Sequence, residues 1–356
     1  MAITGSGTVS FSDLRTEFVG GSSAISFNDL YRGGSNIKAK AGDNLSTNLA
    51  ASVPANGTIN IADFYSTSKG FKFTVDSNTT NFEVDSAFGD DYDLNYPKIV
   101  DIDSGVTIGG NGDEAIDIPS GLASTLTINN SGIVIGYGGA SAGAAGGHAI
   151  ACATANVTIN NTGQISGGGG AGGVGGAGGN GETEGSREPA ADWTNGSAQL
   201  GYYYNSSTYH FYYNGSTSYI YWGSNIGNAS GFPSYIAIGS NRYYRGISRG
   251  GGKYEIYRQA MTSTSGGTGG AFGNGAGYNQ SATAGGTGAA GGTGAGTGGN
   301  GGAGGALATA GTAGSVGANG SVTDGAAGGT AGAAGAAVSG TSVTMNNTGT
   351  INGAVA

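Results

Sequence analysis

The sequence predicts a mostly β and irregular fold. It begins with short helices, continues through a β-strand connector, and ends in a bundle of glycine-rich, polyproline II-type helices with an aromatic-rich insertion at its tip. Three observations lead there. A helix-start pattern of six residues recurs near the beginning, and a strand–turn–strand pattern occurs three times from Thr125 onward. Gly accounts for 78 of the 356 residues, about three times the usual ~7%.

Residues 1–70 hold the helix-start pattern as VSFSDL (Val9–Leu14), ISFNDL (Ile25–Leu30) and INIADF (Ile59–Phe64). Ser10, Ser26 and Asn60 are N-cap types, and Asp13, Asp29 and Asp63 follow three residues later, the spacing of a capping box. Gly20-Gly21, Gly33-Gly34 and Ser66–Gly70 stop each helix after one or two turns. Helices that short need a surface to pack on, either each other or another protein.

Residues 71–135 read as strands. GFKFTV and NFEV alternate apolar and polar side chains, KIVDID and TLTI extend the pattern, and DSGV, GGNGD and NNSG are turn signals. The second repeat is TLTINNSGIVIG (Thr125–Gly136), NVTINNTGQISG (Asn156–Gly167) and SVTMNNTGTING (Ser342–Gly353). Each copy is a strand, an Asn-Asn-Ser/Thr-Gly turn and a second short strand, and the three are expected side by side as one base.

Residues 136–356 are the glycine-rich part. Between Gly167 and Gly181 glycine fills two of every three places, and a later set steps by three from Gly296 through Gly335. Period three is that of the polyproline II helix, which has no internal hydrogen bonds and directs its N–H and C=O groups outward. Facing glycines let such helices bond to one another through their backbones. A flexible linker is the competing reading. Collagen is excluded, because all five Pro lie outside these tracts.

The insertion, residues 182–265, interrupts the tracts with 13 of the 19 Tyr and both Trp. Tyr, Ser, Asn and Gly with added Trp and Arg is the composition of antibody paratopes. Aromatic faces also stack on sugars, and Arg meets phosphate or carboxylate groups. The candidate receptor-binding residues are Trp193, Tyr202, Tyr203, Tyr204, Tyr209, Tyr212, Tyr213, Tyr219, Tyr221, Trp222, Tyr235, Arg242, Tyr243, Tyr244, Arg245 and Tyr254. The competing reading makes these aromatics the core of a small β domain. A smaller insertion, Ala271–Thr283, carries Phe272 and Tyr278.

The formal charge of −9 with only 13 Lys and Arg argues against nonspecific nucleic-acid binding. Cys152 stands alone, so neither an intrachain disulfide nor a Cys-pair metal site forms, and it is expected as a small buried residue. No signal peptide or membrane span is expected. Glu182, Glu184, Glu188, Asp192 and Glu255 form no distinctive pair of the kind glycosidases use, and His148 and His210 are isolated. No enzyme activity, catalytic residue, metal or cofactor is expected. The acidic run between Glu83 and Asp103 lacks the EF-hand spacing, and the choice between a calcium site and solvated loop acids stays open.

The tandem glycine tracts and aromatic segments from about Gly136 to Gly340 resemble the adhesin at the tip of the long tail fibre of T-even-like phages. The VSFSDLRTEFVGG and ISFNDLYRGG segments resemble modules near the ends of phage tail and virion proteins. The resemblance implies a polyglycine II lattice, receptor-binding loops at its distal end, and a place in the virion. The implied partners are other tail or virion proteins, through residues 1–70, and a host surface protein or glycan, with neither nucleic acid nor membrane insertion. Both a monomer and a homotrimer are compatible. A tail-borne depolymerase, a structural virion protein without receptor contact and an ice-binding protein are the alternatives.

Overall fold

The computed structural model describes residues 3–20, 24–39, 46–189, 202–205, 208–211, 220–221, 235–250, 253–340 and 343–355. It is mostly β, with a few short helices. The three amino-terminal modules form Phe11–Leu14 (α), Phe27–Leu30 and Ile61–Phe64 (both 3-10), each with a complete capping box. Ser10, Ser26 and Asn60 donate their amides to the carboxylates of Asp13, Asp29 and Asp63 at 2.7, 2.8 and 2.7 Å. The single turns pack on each other. Leu14, Leu30 and Phe64, the last residue of each pattern, are fully buried in one cluster with Phe18, Ile37 and Val53.

From Phe71 onward the chain winds as a three-sided parallel β-helix. One sheet stacks Phe71–Val75, Lys98–Ile102, Leu126–Asn130, Val157–Asn161 and Thr344–Asn347 in parallel, and Thr47–Asn48 pairs antiparallel at its edge. A second stacks Thr79–Thr80, Thr107–Gly109, Ile133–Ile135, Gln164–Ser166 and Thr350–Asn352. The third stacks Phe82–Glu83, Ile116–Ile118, Ile150–Cys152 and Val338–Gly340. Alternate residues point inward, so Val100, Ile128 and Ile159 build a continuous fully buried column. Val84–Phe88 and Gly89–Asp91 form short helices between rungs, so NFEV is strand only over Phe82–Glu83.

The three Asn-Asn repeats do lie side by side, in register: Asn129, Asn160 and Asn346 align, as do Asn130, Asn161 and Asn347. They are not turn residues. Both Asn end the strand, and their amides form two ladders. Outside, Asn346 donates to Asn160, Asn160 to Asn129, and Asn129 to Asp101, at 2.9, 2.7 and 2.8 Å. Lys72 meets the other Asp101 oxygen at 3.2 Å. Inside, Asn130 donates to Asn161 and Asn161 to Asn347, at 2.8 and 2.7 Å. Stacking repeats one above another lets each primary amide satisfy the next, which a local turn does not offer.

The helix interior also contains Lys98, 1% exposed, in the column with Phe71 and Leu126. Its ammonium donates to the carbonyls of Leu94 and Tyr96 at 2.8 and 3.0 Å. Burial pushes its pKa from 10.5 down to about 8, opposed by the negative charge of Asp91.

Between Ser166 and Val338 the chain leaves the β-helix and runs back and forth through the glycine tracts. Residues 170–179 occupy the centre. Gly172, Gly175 and Gly178 donate to Gly273, Gly270 and Gly267 of an antiparallel neighbour, at 2.8 to 2.9 Å. Gly173, Gly176 and Gly179 donate to Thr312, Ser315 and Ala318 of a parallel one. In return the central carbonyls accept from Gly296, Gly299, Gly302 and Gly305, and from Ala326, Gly329 and Gly332. Each partnership advances by three residues. These segments carry no α-helix and no strand, and their polar backbone groups pair between tracts, as burial requires.

Candidate functional site

The insertion leaves and re-enters the tracts through an antiparallel sheet of Gly181–Pro189, Lys253–Thr264, Asn241–Gly250 and Ile236–Ile238, in that spatial order. Gly181 pairs with Thr264, so the outgoing and returning strands are neighbours at the root. The root is fastened to the ends of other tracts: Glu182 donates its amide to the Ser321 hydroxyl at 3.0 Å, and the Thr264 hydroxyl donates to the Thr293 carbonyl at 2.8 Å. Ile236–Ile238 turns into Asn241–Gly250 through Gly239-Ser240, a two-residue hairpin whose Gly has φ +56°.

One face of this sheet carries a cluster. Arg187, Gln259 and Arg242 stand opposite one another on three adjacent strands. Arg242 contacts both outgoing carboxylates, Nη2 to Glu182 Oε2 at 2.9 Å and Nη1 to Glu184 Oε1 at 3.2 Å. Its guanidinium also lies 4.7 Å from the centre of the Tyr235 ring. Tyr235 packs on Tyr244, with 5.7 Å between centroids, and Arg187 covers Tyr244 at 3.8 Å. The result is a stack of two tyrosines between two guanidinium groups, an arrangement favoured by the negative faces of the rings. Beneath it Gln259, 6% exposed, donates to Glu184 Oε2 at 3.3 Å and the Gly185 carbonyl at 2.9 Å. Arg258 and Glu188 pair farther out, at 3.6 Å.

Three of the candidate binding residues, Tyr235, Arg242 and Tyr244, are thus brought together, and they face each other and the root. Tyr202, Tyr203, Tyr204, Tyr209 and Tyr221 lie on the strands Tyr202–Asn205, Thr208–Phe211 and Ile220–Tyr221, which form a small antiparallel sheet. Tyr243 and Arg245 lie on Asn241–Gly250, and Tyr254 on Lys253–Thr264. Trp193, Tyr212, Tyr213, Tyr219 and Trp222 lie outside the described residues. Sequence reasoning listed Glu182 and Glu184 only as loose carboxylates, and gave no role to Gln259. The signal was the acidic ETE of the outgoing strand, set against RYYR of the strand Asn241–Gly250.

Residues outside the insertion are accounted for by packing. The Tyr278 ring of the smaller insertion lies on Gly109, where a Cβ would stand 2.0 Å from the ring. His148 accepts the Ala336 amide on Nδ1 at 3.0 Å. Cys152 is buried, its Sγ donates to the Thr154 carbonyl at 3.2 Å, and burial raises its thiol pKa. Asp91 of the acidic run is fully buried and accepts from the Ser46 hydroxyl at 3.0 Å. Among the described residues no group of three or more His, Cys, Asp or Glu side chains is arranged to hold a metal. Among them also, no helix is long and apolar enough to cross a membrane.

Residues 70–246 match the family model of the phage tail fibre adhesin Gp38. Over this span the chain is a phage tail fibre adhesin. The matched span begins at the first rung of the β-helix and ends within the strand Asn241–Gly250 of the insertion, so it includes the stacked Tyr235, Arg242 and Tyr244. The adhesin is accordingly a component of the virion tail fibre. It is similar to a solved structure, the crystal structure of the gp37-gp38 adhesin tip complex of the bacteriophage S16 long tail fiber. Identity is 19%, the TM-score is 0.37, and the match covers 83% of this chain and 86% of that one. No curated protein matches the adhesin.

Proposed function

We propose that the adhesin binds a bacterial surface receptor, an outer-membrane protein or a surface polysaccharide, through the aromatic insertion. The insertion is displayed on a rigid polyglycine II bundle, and residues 1–70 mount the protein on another tail protein. The observation that carries the reading is the root of the insertion. A Tyr-rich segment of paratope-like composition is held between two hydrogen-bonded glycine tracts, and its neck is fixed by Arg242 to Glu182 and Glu184. The three-residue step of the inter-tract bonds supports polyglycine II geometry. Stiffness follows from that lattice, because a tract with bonded neighbours on four sides has no soft direction.

In this reading Tyr235, Arg242 and Tyr244 serve as the pedestal, and contact with the receptor falls to the remaining aromatic residues. The role is not enzymatic. Glu182 and Glu184, two of the insertion's acids, are both paired with the same arginine and are poorly suited to acid–base work. The amino-terminal modules, with a core of their own beside the β-helix, support the division at about residue 70.

Deleting Glu182–Ser265 tests the assignment. Because Gly181 and Thr264 are paired neighbours, the remaining ends lie close enough to rejoin. The expected product folds and mounts on the virion, but the particles do not adsorb to the host. Normal adsorption by those particles contradicts receptor binding through the insertion.

A further inference from the structure

We infer that the stem of the insertion carries a subsite for an oxyanion of a surface polysaccharide, a sugar phosphate or a uronate carboxylate, with Arg187 as the group that grips it. The inference rests on the receptor-binding role proposed for the insertion and names the chemistry of the ligand. Its starting point is that the arginines of the stem are not used alike. Arg242 meets Glu182 and Glu184, and Arg258 meets Glu188. Arg187 stands opposite Gln259, on the same face as Arg242, and its guanidinium lies 3.8 Å over the Tyr244 ring. Arg187 is exposed, and among the described residues its guanidinium meets no carboxylate and no hydrogen-bond acceptor.

Stacking sets this arginine apart from an ordinary surface cation. A guanidinium that meets a ring through its face keeps the N–H edges of its planar fork for another partner. The ring also holds the side chain in place, so less rotamer freedom is lost when an anion arrives. Tyr244 is itself braced by Tyr235, with 5.7 Å between ring centres, and Tyr235 by Arg242 at 4.7 Å. Glu182, Glu184 and Glu188, on the same strand as Arg187, are engaged by the other two arginines. An anion for Arg187 therefore comes from outside the stem.

The order of charges along the sheet selects the kind of ligand. Glu182 and Glu184 lie near the root, where Gly181 pairs with Thr264. Beyond the level of Arg187 come Arg245, opposite Ile256, then Arg249, and Lys253, opposite Gly250. From Arg245 to Glu255 the chain holds three basic residues and one acid, Glu255 itself. Outside residues 182–265 the balance is reversed, with seven of the 13 Lys and Arg and seventeen of the 22 Asp and Glu. A protein surface intersperses both signs, so a positive end meets repulsion on it as well as attraction. A polyanionic glycan attracts along its whole length, and its phosphate or carboxylate matches the fork of Arg187 with two parallel bonds.

The test measures binding of purified full-length adhesin to host cells, with polysaccharide extracted from those cells as competitor. The polysaccharide is used intact, after removal of phosphate, and after reduction of its carboxyl groups. Intact material should block binding, and at least one treatment should abolish the block and so identify the oxyanion. Arg187→Ala should weaken cell binding at least about tenfold at low salt and reduce its salt dependence. Arg187→Lys should recover only part, because an ammonium lacks the fork. Arg258→Ala, which removes the same charge from the same sheet, should change binding by less than about threefold. All three variants should keep the wild-type melting temperature. Polysaccharide that does not block, or that blocks equally well after both treatments, overturns the subsite. So does an Arg187→Ala protein that binds like wild type, or one no weaker than Arg258→Ala. Cell binding that survives deletion of Glu182–Ser265 overturns instead the receptor-binding reading on which the subsite rests.

Discussion

Gly173→Ala probes the backbone lattice at its centre. A Cβ on Gly173 would lie 2.0 Å from the carbonyl oxygen of Gly329, whereas ordinary contact begins near 3.4 Å. The tract through Gly329 must therefore retreat by about 1.4 Å, if ordinary packing distances are to be restored. The Gly329 amide, now 2.8 Å from the Val174 carbonyl, then leaves hydrogen-bonding range, and its neighbours Ala326 and Gly332, at 2.7 and 2.8 Å from Ala177 and Ala171, are strained with it. Losing one or two buried bonds removes about 1–3 kcal/mol each, and overpacking adds about 1–3 kcal/mol. The reduced entropy of the unfolded chain returns less than about 1 kcal/mol. The expected loss is about 3–6 kcal/mol, a large share of the 5–15 kcal/mol typical of a domain. Gly286→Ala is the control, because its nearest contacts are 3.1 and 3.6 Å away, and it should stay within about 1 kcal/mol of wild type. Denaturant unfolding of the purified proteins reads both. A Gly173→Ala protein as stable as wild type refutes close backbone packing at this point.

Three further outcomes are expected. Asn161→Ala removes the middle of the buried ladder, leaving Asn130 and Asn347 without their partner, and should destabilise by about 2–4 kcal/mol in the same unfolding assay. Lys98 binds its proton more weakly folded than unfolded, so its charge is a burden below pH 8 that is relieved as pH rises toward 10.5. Stability should therefore climb by up to about 2–3 kcal/mol between pH 8 and pH 10, and Lys98→Met should abolish that climb. Above pH 10 the Tyr92 phenol, whose pKa burial raises, contributes in the opposite direction. Arg242→Ala should weaken host-cell binding while barely moving the melting temperature, with Arg242→Lys recovering only part, because a lysine cannot span Glu182 and Glu184 and also cover Tyr235.

The local signals in the sequence were strong where structure is made locally. The Ser10–Asp13, Ser26–Asp29 and Asn60–Asp63 capping boxes follow from spacing alone, and GFKFTV, KIVDID and TLTI become strands because alternation survives in any sheet. Matching repeats at Thr125, Asn156 and Ser342 told that three segments share one base. The parallel winding was not legible, since its partners are set by stacking across roughly thirty residues or more rather than by any turn type. For the same reason Asn129-Asn130 and its counterparts read as turns, although stacking turns them into ladders. Lys98 was invisible as a core residue, because its placement depends on the carbonyls of Leu94 and Tyr96 arriving beside it. At the insertion the composition marked a site, but the division between pedestal and binding surface depends on Arg242 finding two glutamates about sixty residues away.

The most direct measurement is amide hydrogen exchange at Gly172, Gly175 and Gly178, whose N–H groups donate to Gly273, Gly270 and Gly267. If adjoining tracts hold one another through their backbones, these three amides exchange as slowly as the β-helix core at Ile128 and Ile159. Exchange at the rate of an unstructured glycine peptide, with Ile128 and Ile159 still protected, contradicts the lattice and removes the support from under the insertion.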